Sequence, residues 1–135
     1  MMETVSRGEI YHICAAEAVG HEQRGDRPAV IVSNNVGNRC SPVVEVVYLT
    51  TQVKKPLPTH VQIYSSPRAS TAMCEQIDSV DKLRLTRLLG RVTEGEMLKI
   101  DNALAVSLGI AGDIVPLSQE RSEPLSCCKG GDDDR

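Results

Sequence analysis

The stretch VVEVVYLTT, residues 43–51, carries the strongest strand signal of the chain. Val and Ile have stiff, β-branched side chains that suit a pleated sheet. A second apolar run, AVIVS at residues 29–33, is nearly continuous, as is typical of a strand buried on both faces. NNVGNRCSP lies between the two runs and contains the Asn, Gly and Pro residues of a turn. The stretch therefore predicts two strands joined by a turn.

Shorter strand candidates lie on both sides of this pair. GEIYHICAA, from residue 8, is apolar-rich, and HVQIY, from residue 60, alternates as an outer strand does. Another strand is predicted near residues 72–77, and LGRVT, from residue 89, is read as the last strand. DKLRLTRLL between them is too short for a helix and favours a single turn.

One helix is predicted at the end of this body. Thr93 followed by Glu96 is the signature of a capping box, in which a hydroxyl and a carboxylate satisfy two free backbone amides. The apolar residues that follow recur at helical spacing: Met97, Ile100, Leu104 and Leu108. Gly109 fits the C-terminal stop. The sequence thus predicts a mainly β fold with one C-terminal amphipathic helix packed on the core.

Composition sets the domain boundaries. The 135 residues suffice for one domain, and with 41% apolar residues but no Phe or Trp, aliphatic side chains must fill its core. Residues 1–112 hold twelve acidic and twelve basic side chains, whereas residues 113–135 hold six and three. We therefore expect one domain over residues 1–112 and a polar, acidic, disordered tail over residues 113–135. MMETVSRGEI has no apolar run and predicts no signal peptide, hence a cytoplasmic protein with no membrane partner.

A charged loop, residues 17–28, precedes the AVIVS strand. A loop fixed to the start of a core strand is a common way to hold a reactive group in place. Arg27 offers a planar fork of donors that matches phosphate oxygens, and Pro28 restricts it to extended backbone geometry. From the residues alone, Arg27 is equally an ion-pair partner of Asp26 or Glu22.

Six segments in one order carry a family resemblance. They are RGEIY at residue 7, GHEQRGDRPAVIVSN at 20, TTQ at 50, LPTHV at 57, EQIDSVDKLRL at 75 and the closing helix. Together they resemble the MazF/PemK family of toxin endoribonucleases over about residues 7–110. The resemblance implies a small, SH3-barrel-like, strongly bent antiparallel sheet with a C-terminal helix, of the CcdB/MazF type. It also implies a homodimer, single-stranded RNA as substrate and an antitoxin protein as partner.

The same resemblance implies the chemistry. The family cuts RNA with no metal and no cofactor, through attack of the ribose 2′-hydroxyl, and leaves a 2′,3′-cyclic phosphate and a 5′-hydroxyl. Arg27 and Thr50 match its catalytic positions. Arg27 is expected to stabilise charge and not to act as the base, because neutralising a guanidinium at pH 7 costs roughly 7 kcal/mol. Glu22 is the favoured base, and His21 in the same loop is the second candidate.

Two loops are expected to flank the RNA groove. Their predicted RNA-binding residues are His21, Gln23, Arg24, Gln52, Lys54 and Lys55. Gln76 is also predicted to bind RNA. Glu75 and Gln76 match a second Glu-Gln pair of the family, for which a role in bracing the site is favoured. An ordinary charged hairpin tip is an equal reading for Lys54 and Lys55. His60, inside a predicted strand, is expected to be structural.

Two other functions stay open. One is a binding toxin of the same fold that poisons DNA gyrase and cuts nothing. Such relatives depend on a C-terminal Trp-Gly-Ile ending, and this chain has no Trp. The other is a degenerate homologue with a regulatory role only. Arg27 and Thr50 argue against it, since both catalytic positions of the family are kept.

Overall fold

The computed structural model describes residues 4–14, 26–52 and 55–110 of the chain. The strands are β1 (Glu9–Ile13), β2 (Arg27–Ile31), β3 (Val43–Thr50), β4 (His60–Ile63), β5 (Ser70–Asp81) and β6 (Leu85–Arg91). The helices are α1 (Asn35–Cys40) and α2 (Glu94–Leu108), and a single 3-10 turn (Lys82–Arg84) joins β5 to β6. The predicted tail, residues 113–135, lies outside the described residues, so the domain division remains a prediction.

One six-stranded sheet forms the body, in the order β4-β5-β3-β2-β1-β6. Every neighbouring pair of strands is antiparallel. β5 pairs with β3 in two parts, Thr71–Ala72 and Ile77–Asp81, and the first part also lies in Ser70–Met73, which pairs with β4 on the other side. Residues 73–76 fall in the register break between these two parts, which allows the sheet to bend. The prediction of a bent antiparallel sheet with a C-terminal helix is confirmed, and β4 is an edge strand as expected.

Two apolar clusters hold the body together, as a sheet with two covered faces requires. The first lies under α2 and includes Ile10, Val47, Ile63 and Ile100. The second lies on the opposite face of β2 and β3. Its buried members are Val5, Ile13, Ala29, Ile31, Val44, Val46 and Val80. Tyr48 is partly buried and packs against the second cluster, so its ring lies at the border between core and solvent.

The predicted capping box is present at α2. The Thr93 hydroxyl accepts from the Glu96 amide at 3.0 Å, and the Glu96 carboxylate accepts from the Thr93 amide at 3.0 Å. Gly109 ends the helix in the left-handed conformation, with φ of 74°. The buried face is narrower than the predicted stripe, because Leu108 is 61% exposed while Ile100 and Ala103 are buried.

Several boundaries differ from the sequence predictions. β5, predicted near residues 72–77, spans Ser70–Asp81. NNVGNRCSP is not only a turn: it forms α1, because the Asn34 side chain accepts from the Gly37 amide and caps a helix there. β6 begins at Leu85 and not near residue 89. β2 begins at Arg27, so Arg27 and Pro28 belong to the strand and not to the predicted loop of residues 17–28. Pro28 is tolerated because it lies at the strand start.

Candidate active site

Arg27 and Thr50 lie at adjoining ends of two paired strands. β2 and β3 are in register at Ala29↔Tyr48, Val30↔Val47 and Ile31↔Val46. Continuing this register by two residues brings Arg27, the first residue of β2, opposite Thr50, the last residue of β3. Directly opposed residues of antiparallel strands share a face, with Cβ atoms about 5 Å apart. The register therefore places Arg27 and Thr50 on one face of the sheet, at adjoining strand ends.

The Thr50 hydroxyl is held by its own chain. Its Oγ1 accepts a hydrogen bond from the Gln52 amide at 3.2 Å, so one lone pair is committed and the oxygen is fixed. Thr50 is half-buried, and its β5 neighbour is Thr71. Within the described segments, the Thr50 hydroxyl donates to no protein acceptor.

The Arg27 guanidinium rests on an aromatic ring. Its Cζ lies 4.7 Å from the centroid of the Tyr48 ring, a cation–π distance. Partial burial lowers the pKa of Arg27, and the nearby Tyr48 opposes this shift. Arg27 forms no salt bridge with a carboxylate among residues 4–14, 26–52 and 55–110. The Asp26 carboxylate lies 3.8 Å from His12 Nδ1 instead.

Tyr48 contacts Arg27, and the sequence analysis did not single it out. Its hydroxyl donates to Asp78 Oδ2 at 2.7 Å. Burial, followed by this hydrogen bond and the charge of Asp78, raises the pKa of Tyr48 to about 12. The hydroxyl therefore stays protonated, and remains a donor, throughout the neutral range. The signal was present in the alternation of VVEVVYLT, since Tyr48 and Thr50 are two residues apart and share a face.

Some of the remaining predicted site residues lie in described segments of the structure, and the others lie outside them. Gln52, Lys55 and Gln76 are exposed, the first two in the segment after Thr50 and the third in β5. Gln76 lies in residues 73–76 of β5. This part falls between Ala72, the partner of Leu49, and Ile77, the partner of Val47. Five predicted residues lie outside the described residues: His21, Glu22, Gln23, Arg24 and Lys54.

A polar cluster ties the start of β4 to β5. Glu75 Oε1 accepts from the Thr59 hydroxyl at 2.7 Å, and Glu75 Oε2 lies 3.0 Å from His60 Nε2. Partial burial alone would raise the pKa of Glu75, but the bonds from Thr59 and His60 outweigh it and lower the pKa. The His60 side chain is 9% exposed, and its Nδ1 has no partner in the described structure. This geometry fits the bracing role predicted for Glu75 and the structural role predicted for His60.

The sheet, its helix and this pair of strand ends define a fold shared with known toxins. A profile described as PemK-like, MazF-like toxin of type II toxin–antitoxin system matches residues 6–108. Endoribonuclease EndoA of Bacillus subtilis is 40% identical over 111 residues, covering 78% of this chain and 96% of that protein. The chain belongs to the PemK-like, MazF-like toxin family.

Solved structures agree with this assignment. An endoribonuclease from a mycobacterial species has a TM-score of 0.70 and 34% identity, covering 83% of this chain and 98% of that one. A mycobacterial endoribonuclease in complex with its cognate antitoxin has a TM-score of 0.69 and 34% identity, covering 81% and 99%. The family predicted from the six sequence segments is thus confirmed.

Proposed function

We propose that this chain is the toxin of a toxin–antitoxin pair and an endoribonuclease that cleaves single-stranded RNA without a metal or cofactor. Membership in the family and a 40% identical relative named as an endoribonuclease support the activity. One observation carries the proposal. Arg27 and Thr50 occupy opposed ends of β2 and β3 on one face of the sheet.

The proposed reaction is a transesterification within the RNA. The ribose 2′-oxygen attacks the adjacent phosphorus while a base accepts its proton. The bond to the 5′-oxygen breaks, and that oxygen gains a proton. The products are a 2′,3′-cyclic phosphate and a 5′-hydroxyl. Such a reaction needs a proton acceptor, a donor at the leaving oxygen, and hydrogen bonds or positive charge on the phosphorane.

Arg27 supplies the positive charge in this scheme. The guanidinium carbon lies 4.7 Å from the Tyr48 ring centroid, and the N–H donors of a guanidinium lie in its own plane. A ring against the guanidinium face leaves these donors to the non-bridging and leaving oxygens of a phosphate. The cost of neutralising the guanidinium makes it a charge stabiliser in preference to a base.

Thr50 supplies a positioned hydroxyl. Because its oxygen already accepts from the Gln52 amide at 3.2 Å, its proton can be donated to a phosphate oxygen. The opposite end of the reaction needs the base. We assign it to Glu22 first and to His21 second, both from the sequence. Replacing each with Gln separates them, since the true base sets the acidic limb of the pH–rate profile.

The RNA path is assigned to the exposed polar residues around the pair. Gln52, Lys55 and Gln76 are exposed in the structure, and His21, Gln23, Arg24 and Lys54 complete the set from the sequence. If Lys55 neutralises one phosphate, Lys55→Ala weakens binding uniformly across RNA sequences and reduces the salt slope by about one.

Partners follow from the same proposal. An antitoxin with an acidic, disordered segment would cover the cationic site and block RNA. A mycobacterial relative was solved with its cognate antitoxin, which supports this partner. We also propose a homodimer and a cytoplasmic location. In the part of the chain that the structure describes, neither helix is long and apolar enough to cross a membrane.

The test is cleavage of a long RNA by the purified chain in excess EDTA. We expect cuts at few sites, and a loss of about a hundredfold or more for Arg27→Ala and for Thr50→Ala. A substrate with one 2′-deoxyribose at the cut site should resist cleavage. Normal cleavage of that substrate would refute the mechanism. Absence of any cleavage by the parent chain would favour the gyrase-binding or regulatory alternatives.

A further inference from the structure

The Tyr48 side chain makes three contacts: with Arg27, with Asp78 and with the second apolar cluster. The Arg27 Cζ lies 4.7 Å from the ring centroid. The hydroxyl of the same ring donates to Asp78 at 2.7 Å, and the ring packs against the second apolar cluster. A ring fixed at its hydroxyl and along its side has little freedom to rotate. Its free face is therefore a fixed support for whatever lies on it.

The register explains how the three side chains meet. Tyr48 is opposite Ala29, and Arg27 is two residues before Ala29, so ring and guanidinium are diagonal neighbours on one face. Asp78 is opposite Val46 on the other neighbouring strand, again on the same face as Tyr48. Three adjacent strands, β2, β3 and β5, thus contribute one residue each to a continuous row.

The kind of contact matters for the chemistry. A carboxylate partner would occupy the edge donors of Arg27 that a phosphate needs. A ring contacts the guanidinium face and leaves that edge open. Asp26, adjacent to Arg27 in the chain, lies near His12 Nδ1, at 3.8 Å. Among residues 4–14, 26–52 and 55–110, the Arg27 guanidinium therefore has an aromatic partner and no carboxylate partner.

We propose that Tyr48, held by Asp78, is a positioning residue that sets the plane of the Arg27 guanidinium so that its edge faces the phosphate beside Thr50. The catalytic part of this inference rests on the proposed ribonuclease function. The stacked geometry itself does not depend on that function and can be measured without RNA.

The first measurement is made on the free protein. A guanidinium above an aromatic face is shifted upfield in proton NMR by the ring current, and Arg27→Lys identifies its Nε–H signal. We expect that signal to be upfield in the parent and in Tyr48→Phe, and at an ordinary position in Tyr48→Leu. An ordinary position in the parent would overturn the stacking.

The second measurement is steady-state cleavage of a defined RNA in EDTA. Tyr48→Leu keeps apolar bulk but has no π face, and we expect its kcat to fall about tenfold with KM changed less than about twofold. Tyr48→Phe keeps the ring and loses only the bond to Asp78, so it should retain kcat within about threefold. Asp78→Asn keeps an acceptor for the Tyr48 hydroxyl, so it should also retain kcat within about threefold. Tyr64→Leu is the matched control, because Tyr64 is 73% exposed and lies in the loop that follows β4.

The outcomes separate the two proposals. If the parent cleaves RNA and Tyr48→Leu keeps its kcat within about twofold, the positioning role is wrong while the ribonuclease function stands. Equal losses in Tyr48→Phe and Tyr48→Leu would assign the effect to the hydroxyl and also overturn the proposal. If Tyr48→Leu does not fold, the parent NMR signal and the kcat of Tyr48→Phe decide. If the parent cleaves nothing, the ribonuclease function and the catalytic part of this inference fail together, and the NMR signal alone decides the stacking.

Discussion

Glu96 joins the N-terminus of α2 to the loop after β4, and its replacement by Gln has a calculable effect. One carboxylate oxygen accepts from the Ser65 hydroxyl at 2.6 Å and the Thr93 amide at 3.0 Å. The other accepts from the Tyr64 amide at 2.8 Å. A Gln side chain has one acceptor oxygen, so its amide nitrogen must face a donor. The variant therefore loses at least one of the three hydrogen bonds.

The size of the effect follows from the hydrogen bonds lost. Bonds to charged groups contribute about 1.5–3 kcal/mol, and partial exposure reduces this. Losing one bond and weakening two from charged to neutral gives about 2 kcal/mol for Glu96→Gln. For a domain near 100 residues this lowers Tm by roughly 10 °C. Glu94→Gln is the control, because it removes the same charge from the same helix turn without removing these bonds.

The effect also depends on pH. Partial burial alone would raise the pKa of Glu96, but the bonds from Ser65, Tyr64 and Thr93 outweigh it and lower the pKa. A lowered folded pKa means that the stabilisation is complete above the unfolded value, near about 4.3. It is lost as the pH falls through the lower folded value, where the native carboxyl becomes protonated.

Urea unfolding at fixed protein concentration measures both aspects. We expect Glu96→Gln to be about 2 kcal/mol less stable than the parent at neutral pH, with the gap narrowing below about pH 4. A gap within about 0.5 kcal/mol of that for Glu94→Gln, or one that stays constant as the pH falls, would refute the reasoning.

Three further predictions address packing, the site and a salt bridge. Gly90→Ala should lower the free energy of unfolding by about 1–3 kcal/mol, because a Cβ there would meet the Ser65 carbonyl oxygen at 2.8 Å; an unchanged urea midpoint would argue against this contact. Arg27→Lys keeps the positive charge but loses the planar fork of donors. We therefore expect kcat in EDTA to fall about tenfold or more, with the free energy of unfolding changed by less than about 1 kcal/mol. Full activity of this variant would show that charge alone suffices. Asp101→Asn breaks the salt bridge to Arg7 and should cost about 1 kcal/mol at low salt and less at high salt, as measured by thermal unfolding.

The strands were the most predictable part of the fold. AVIVS and VVEVVYLTT predicted β2 and β3 because aliphatic runs buried on both faces leave little ambiguity. The capping box predicted the start of α2 because its two hydrogen bonds are local in sequence. α1 was missed since its cap, Asn34, belongs to a residue type that turns use equally.

The candidate site residues were predicted through a family resemblance, and their neighbours were not. Arg27 and Thr50 match catalytic positions of the family, and the strand register places them at adjoining ends of β2 and β3. Tyr48 was missed because its contacts depend on two neighbouring strands, β2 and β5, whose register no local pattern specifies. Likewise, the bonds that lower the pKa of Glu75 join residues sixteen and fifteen positions apart.

The central claim is that Arg27 and Thr50 act on the same scissile phosphate. A double-mutant cycle on single-turnover RNA cleavage in EDTA tests it most directly, with Arg27→Ala, Thr50→Ala and the double variant. Residues that act as one unit are strongly non-additive, so we predict that the double variant cleaves only slightly more slowly than the slower single variant. A double variant whose loss equals the product of the two single losses, or single variants with nearly full activity, would contradict the claim.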